Sequence, residues 1–369
     1  MNIESTVRER YTQGARERQE ALCCPVDYDP GLLAALPEEI IAKDYGCGDP
    51  SRYVQAGDVV LDLGSGGGKI CYLAAQLAGP EGQVIGVDMN DDMLGLARKY
   101  QADMARTLGG DRVRFLKGYI QDLALDVESL DRYLREHPVI DRQGYAELRA
   151  WEVRQRQERP LIADASIDLV ISNCVLNLVP DDEKGQLVRE IFRVLKPGGR
   201  IAISDIVSDR PIPTALKQDP ELWSGCIAGA FQDGDFLRIF ADNGFHAVCY
   251  DKWESQPWRV VEGIEFRAVT VTACKGVAAG PLTEPRSLIY RGPFAAVIDD
   301  AGQRHVRGVR SRVTAAQHAA LTDTAYRGAF IDPQAGLPAA AASCCTPAVT
   351  VIDATQDDAS HAGHGGCCC

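Results

Sequence analysis

The sequence predicts an α/β protein built on a doubly wound, mostly parallel, seven-stranded sheet, followed by a small β-rich appendage and a Cys-rich flexible tail. Three observations carry this expectation. Short apolar runs alternate with amphipathic helical stretches from Asp58 to about Gly276, the pattern of parallel strands joined by crossover helices. The first run ends in the glycine-rich turn of LDLGSGGGK, which opens a helix. Beyond GVAAGPLTEP the composition shifts to short alternating runs, and from about Pro338 the chain is rich in Ala, Ser, Gly and Cys.

Residues 1–45 read as an N-terminal helical segment with the doublet Cys23 and Cys24 in a loop. DVVLDLGS is the first strand, KICYLAAQLAG a helix stopped by glycine, GQVIGVDMN the second strand, and DDMLGLARKYQADMARTLG an amphipathic helix. RVRFLKGYI gives the third strand. The charged stretch DVESLDRYLREHPVIDRQGYAELRAWEVRQRQER then breaks the alternation and reads as a surface helical insertion with a solvated face. SIDLVISNCV, DEKGQLVREIFRVLKPGG and RIAISDIV resume it as strand, helix and strand. An excursion near 211–235 follows, and FHAVCYDKW and FRAVTVTACKG complete the sheet, so that 46–276 forms one domain. SLIYRGPFAAVIDDAGQRHVRGVRSRVTA alternates around the turn DDAG, giving a small β-rich domain over 281–335 ahead of the tail, 338–369.

A formal charge of −13 argues against nucleic acid or an anionic membrane as partner, because both need clustered Lys and Arg. MNIESTVRERYTQGARERQE lacks the apolar centre of a signal peptide, and no stretch approaches the roughly 20 apolar residues of a membrane span. A cytoplasmic protein with a small-molecule partner is expected. Thirteen cysteines are many for a reducing compartment, where clusters point to metal binding or catalysis more often than to structural disulfides.

The glycine turn identifies the first ligand. Glycines let the backbone approach a ligand closely, and a helix N-terminus offers free N–H groups. Counting from Gly64 gives Gly66 and Gly68, with Lys69 where a dinucleotide fingerprint needs its third glycine. Asp62, directly before the turn, suits a ligand amino group rather than a pyrophosphate. This spacing resembles the class I S-adenosylmethionine methyltransferases. Asp88, ending the second strand, then stands where a carboxylate would accept hydrogen bonds from both ribose hydroxyls. Asp122, after the third strand, is a candidate for the adenine end and equally for a helix cap.

Cysteines supply the second ligand. In an open α/β sheet the ligand lies beyond the carboxyl ends of the strands, and Cys174 ends the fourth strand, beside the expected position of a transferable methyl group. Thiolates are soft ligands, and three of them suit a soft three-coordinate ion such as As(III). Cys226 lies in the excursion. Cys71, in the first helix, and Cys249 and Cys274, within strands, read as core thiols. The tail thiols Cys344, Cys345 and Cys367 to Cys369, with His361 and His364, read either as collectors of metalloid or copper or as dispensable.

YGCGDP, SNCVLNL, SDI and SGCIAGAF, in that order around the glycine loop, resemble the arsenite S-adenosylmethionine methyltransferases over roughly Cys23 to Gly276. The resemblance implies a Rossmann-like methyltransferase sheet. It implies trivalent arsenic held by Cys174 and Cys226, with Cys47 and one of Cys23 and Cys24 as a further ligand or a redox pair. The implied reaction is methyl transfer to thiolate-bound As(III), turning arsenite and methylarsenite into more methylated arsenicals as detoxification, with a thiol reductant such as glutathione or thioredoxin as co-substrate. A disulfide among Cys23 or Cys24 and Cys47 would supply electrons to arsenic. The charged insertion and the YRGPF appendage depart from the family pattern and bear on substrate preference. Two other readings stay open: a methyltransferase of a small organic substrate, in which Cys174 merely ends a strand, and a metalloid-sequestering protein that keeps the fold.

Overall fold

Strands β1 (Val59–Leu63), β2 (Gln83–Asp88), β3 (Val113–Lys117), β4 (Ile167–Asn173), β5 (Leu195–Ser208), β6 (Phe245–Trp253) and β7 (Ile264–Lys275) form the central sheet of the computed structural model, in which residues 3–17, 19, 26–276 and 286–335 are described. Their spatial order is β3-β2-β1-β4-β5-β7-β6. The first five are parallel, and β7 runs antiparallel to both β5 and β6. Two short strands, Phe231–Gln232 beside β5 and Arg259–Val261 beside β7, bring the sheet to nine. The expected seven-stranded, mostly parallel sheet is therefore present with two small additions.

Burial on both faces explains the apolar runs. Leu61, Leu63 and Val170 on one face, and Val60, Leu169 and Ile171 on the other, are fully buried, as strands covered on two sides require. One face packs on the helices Lys184–Val194 and Asp233–Asp242 through Leu187, Ile191, Phe236 and Phe240. The other packs on Lys69–Ala78 through Ile70 and Leu73 and on Asp91–Lys99 through Leu94. The stretch predicted as one helix over 91–109 breaks at Tyr100 into Asp91–Lys99 and Gln101–Leu108.

The charged insertion forms Val127–Glu136 and Arg142–Glu158, and the second of these helices buries no residue. In the appendage, Arg286–Tyr290 pairs antiparallel with Arg310–Val313 and Phe330–Ile331, and Ala296–Ile298 pairs with Arg304–Val306 across the DDAG turn. The helix Ala315–Leu321, started by a Thr314–Gln317 capping box, was not announced by the alternation. Among the described residues no helix is long and apolar enough to cross a membrane. Of the thiols read as core, Cys71 and Cys274 are buried, but Cys249 is exposed on the outermost strand, β6. Cys23, Cys24 and the tail thiols lie outside the described residues.

Candidate active site

The cleft at the carboxyl ends of β1, β2 and β4 is lined by Asp62, Gly64, Gly66, Asp88 and Cys174, with Gln121 and Tyr119 after β3. Gly64 and Gly66 adopt positive φ of 73° and 51°, conformations that L side chains rarely take. A Cβ on Gly66 would meet no atom within 4 Å, so the turn leaves open space there. Asp88 closes the turn: its carboxylate accepts from the N–H groups of Gly66 at 2.9 Å and Asn90 at 2.8 Å. Burial pushes Asp88 above its ordinary carboxyl range against those backbone donors. Asp62 is pushed up to about 7, chiefly by burial, and its one donor is the Cys71 thiol at 3.2 Å. Among the described residues neither carboxylate has a cationic partner, and both stand beside the open glycine turn. Burial in such a place costs several kcal/mol unless a counter-charge arrives.

Gly68 does not face the cleft. It caps the following helix at φ 88°, and a Cβ there would stand 2.8 Å from the Phe115 ring. The Asp122 carboxylate accepts from Arg156 of the insertion at 2.8 Å and is not among the residues that line the cleft. Arg156 belongs to the second helix of the charged insertion. Gln121 and Ile120 occupy the wall instead.

Three distant cysteines converge beside this cleft. The 46–48 loop is held at the end of β4 by Asn173, whose Oδ1 accepts from the N–H groups of Cys47 at 2.9 Å and Gly48 at 3.0 Å. Its Nδ2 donates back to the Gly48 carbonyl at 2.8 Å. A Cβ on Gly46 would collide with Asn173 and one on Gly48 with Ser204, so only glycines flank Cys47 at this approach. The Cα atoms of Cys47 and Cys174 thereby come within 5.9 Å, and the two residues form a disulfide. The separation lies in the ordinary disulfide range. This changes the expected pairing, in which Cys47 joined Cys23 or Cys24, because Asn173 ties the Cys47 loop to the Cys174 strand end.

Cys226 is the third thiol. Its Sγ donates to the Cys174 carbonyl at 3.2 Å, and its own carbonyl accepts from Asn177 Nδ2 at 3.3 Å. Cys174 and Cys226 each have φ 61°, a left-handed conformation that costs a non-glycine residue on the order of 1–3 kcal/mol and persists only where surroundings enforce it. The enforcing contacts are the Cys174 N–H on the Ser204 carbonyl at 2.8 Å and the packing of Cys226 against Ile206, Ile227 and Phe266.

Three further residues were not singled out from the sequence. Asp205, in the SDI peptide, is fully buried, and one of its oxygens lies within 4.8 Å of the Cys47 and Cys174 sulfurs. Burial pushes its carboxyl up to about 7, opposed by the N–H groups of Ile206 and Asn177 and by Lys184. Lys184 is buried against the Phe231 ring, with Nζ donating to Asp181 at 2.6 Å and to the Gly229 carbonyl at 2.5 Å. Tyr11 reaches in from the N-terminal helix Ile3–Arg16 and lines the cleft. Burial and then the neighbouring Cys226 thiol raise its hydroxyl well above the ordinary range. That helix is pinned over the site by Arg10, which donates to the Glu221 carbonyl and the Ser224 hydroxyl, each at 2.8 Å.

Comparison with known proteins agrees with this geometry. A family model described as "Methyltransferase domain" matches residues 55–143 and 141–244, and a domain of unknown function matches 278–358. The chain is 35% identical over 237 residues to an arsenite methyltransferase of Aquipseudomonas alcaligenes, covering 63% of this chain and 58% of that protein. It is 31% identical over 273 residues to an arsenite methyltransferase of Mus musculus, covering 70% of this chain and 61% of that protein. The chain thus spans about three fifths of the length of these relatives. A solved arsenic(III) S-adenosylmethionine methyltransferase from Chlamydomonas reinhardtii aligns with a TM-score of 0.54 at 29% identity, covering 83% of this chain and 96% of that one. The chain belongs to the methyltransferase-domain family, and its relatives at 29–37% identity over 55–70% of the chain include arsenite methyltransferases of bacteria, archaea and mammals.

Proposed function

We propose that this chain methylates trivalent arsenic held by its own thiols, using S-adenosylmethionine as methyl donor. The observation that carries the reading is the convergence of Cys47, Cys174 and Cys226 on the cleft built by the glycine turn, with Cys174 lining that cleft. When bound, S-adenosylmethionine supplies an electrophilic sulfonium methyl. Asp62 would face its ammonium, Asp88 its ribose, and the turn at Gly64 and Gly66 would give its backbone room.

The protein's part is positioning. Soft thiolates suit arsenic, and they lose their protons when it binds. Fixing the arsenic lone pair toward the methyl makes the step effectively unimolecular. No general base is needed at arsenic. Transfer would break the methyl–sulfonium bond, leaving S-adenosylhomocysteine, and form an As–C bond that takes arsenic formally to the pentavalent state, so two electrons must return before another cycle. Cys47 and Cys174, as two thiols, furnish those electrons by joining in the disulfide, and an external thiol reopens it by exchange. The same thiol would convert the disulfide-bonded form of the protein into the arsenic-binding one. We place the enzyme in the cytoplasm, where such thiols are maintained, with arsenite and methylarsenite as substrates and detoxification as its role.

The reading is tested by incubating the full chain with arsenite, S-adenosylmethionine and glutathione and separating the arsenic species. Methylated arsenic supports it. Cofactor consumption with a methylated organic acceptor and no arsenic product would favour a small-molecule methyltransferase instead.

A further inference from the structure

A second cluster lies where the appendage meets the outer strands of the sheet. His246 of β6 and Cys274 of β7 are cross-strand partners, and Asp323 reaches them from the segment after Ala315–Leu321. One ligand atom from each lies within 4.8 Å of the others. His246 and Cys274 are each 8% exposed. Among the described residues the Nε2 of His246 is buried without a hydrogen-bond partner and stands 3.7 Å from Asp323 Oδ2, beyond hydrogen-bonding distance. The other Asp323 oxygen is occupied by the Ala325 N–H at 2.8 Å, which leaves Oδ2 directed at the cluster.

Local structure aims these groups on purpose. The β6–β7 register shifts between His246 and Cys249, and Ala247 sits at φ 52°, the mark of a bulge that redirects a neighbouring side chain. Tyr326 stacks on the His246 ring at 6.1 Å between centroids, and its hydroxyl accepts from the Ala247 N–H at 3.2 Å. The imidazole is therefore fixed by the bulge and the aromatic ring while its polar edge is unsatisfied. A buried orphan nitrogen of this kind is destabilising, and a cation at the centre of the cluster would remove the penalty.

We propose that His246, Cys274 and Asp323 form a binding site for a borderline divalent cation, Zn²⁺ by its chemistry, that fastens the appendage to the methyltransferase sheet. One imidazole, one thiolate and one carboxylate make a mixed N/S/O donor set that suits zinc at about 2.0–2.3 Å per ligand, with a fourth position left to water. A single thiolate does not suit As(III), which separates this site from the one at Cys174. Closing around zinc draws the three ligand atoms together by roughly 1 Å from their present spread. The site is independent of the arsenic reading, since none of its residues lies in the cofactor cleft.

The test loads the reduced full chain with ZnCl₂, dialyses it against a weak chelator, and counts zinc by mass spectrometry alongside Co²⁺ substitution spectra. His246→Ala, Cys274→Ser and Asp323→Asn should each lose one equivalent relative to the unmodified chain, whereas Cys249→Ser, an exposed thiol outside the cluster, keeps it. Zinc should raise the melting temperature of the unmodified chain and not that of His246→Ala. His246→Cys, which restores a ligand, should regain the equivalent and show a stronger thiolate-to-cobalt band. Undiminished zinc in all three loss variants, or a His246→Cys chain that binds no more than His246→Ala, would overturn the site.

Discussion

Asn173 Oδ1 accepts from the backbone N–H of Cys47 at 2.9 Å across 126 positions of sequence, and this bond holds the Cys47 loop against the strand end that carries Cys174. Asn173→Ala would orphan the Cys47 and Gly48 N–H groups in a buried place, at about 1–3 kcal/mol for each unsatisfied donor. The expected outcome is a lower urea midpoint and, under reducing conditions, weakened arsenite binding with S-adenosylmethionine binding retained. Equal loss of both ligands would mean that the asparagine supports the whole sheet end rather than the Cys47 loop.

Asp88→Ala should weaken S-adenosylmethionine by about 1.5–3 kcal/mol, the range of hydrogen bonds to charged groups. Arsenite binding measured without cofactor should survive. Titration calorimetry checks both, and a preference for NAD over S-adenosylmethionine would contradict the cofactor assignment.

Asp205 makes stability depend on pH in a defined direction. Its folded-state pKa is raised from 3.8 to about 7, so the native chain holds this proton more tightly than the unfolded chain. The contribution is whole below about pH 4 and is lost as the pH rises through about 7. Each pH step across that window costs up to about 1.4 kcal/mol. Asp205→Asn removes the titration, so its stability relative to the unmodified chain should improve steadily from pH 4 to pH 8 in urea unfolding. Asp62 titrates in the same range in both proteins and cancels in the comparison. A difference that does not vary with pH would show that Asp205 is ionised throughout.

Opening the Cys47–Cys174 disulfide should be required for turnover. Without an added thiol, the disulfide-bonded chain should bind S-adenosylmethionine and release no methylated arsenic, and a reductant should restore activity. Mass spectrometry after alkylation counts the thiols in each state. Full turnover with the disulfide intact would remove Cys47 and Cys174 from the arsenic site.

The glycine turn was legible in the sequence because it is one contiguous stretch, a strand end followed by Gly64 and Gly66, and Asp88, which closes it, ends the very next strand. The fold was legible for a similar reason, since each buried strand is an unbroken apolar run. The cysteine peptides were visible too, but not their bonding. The Cys47–Cys174 pairing depends on Asn173, and Cys226 is anchored by Asn177, so both scaffolding contacts are made across long separations. Tyr11 carries no local signal, for it enters the site only because Arg10 pins its helix over the excursion. The Asp122–Arg156 pair was not legible because Arg156 comes from the insertion, which was read as solvated surface. The Cys274 cluster escaped for the opposite reason: a cysteine within a strand pattern reads as core until Asp323 is seen beside it.

The most direct test of the account is arsenic speciation by a serine series in the presence of S-adenosylmethionine and a thiol. Cys174→Ser and Cys226→Ser should each abolish methylation of arsenite and of methylarsenite, because a hydroxyl is a hard, poorly ionised ligand. Cys47→Ser should lose arsenite methylation and keep part of methylarsenite conversion, since methylarsenite already carries one carbon substituent and needs two thiolates rather than three. Equal loss of both activities in all three variants would show the thiols acting as one unit. Undiminished arsenite methylation by Cys174→Ser would contradict the central claim that this cleft works on thiolate-bound arsenic.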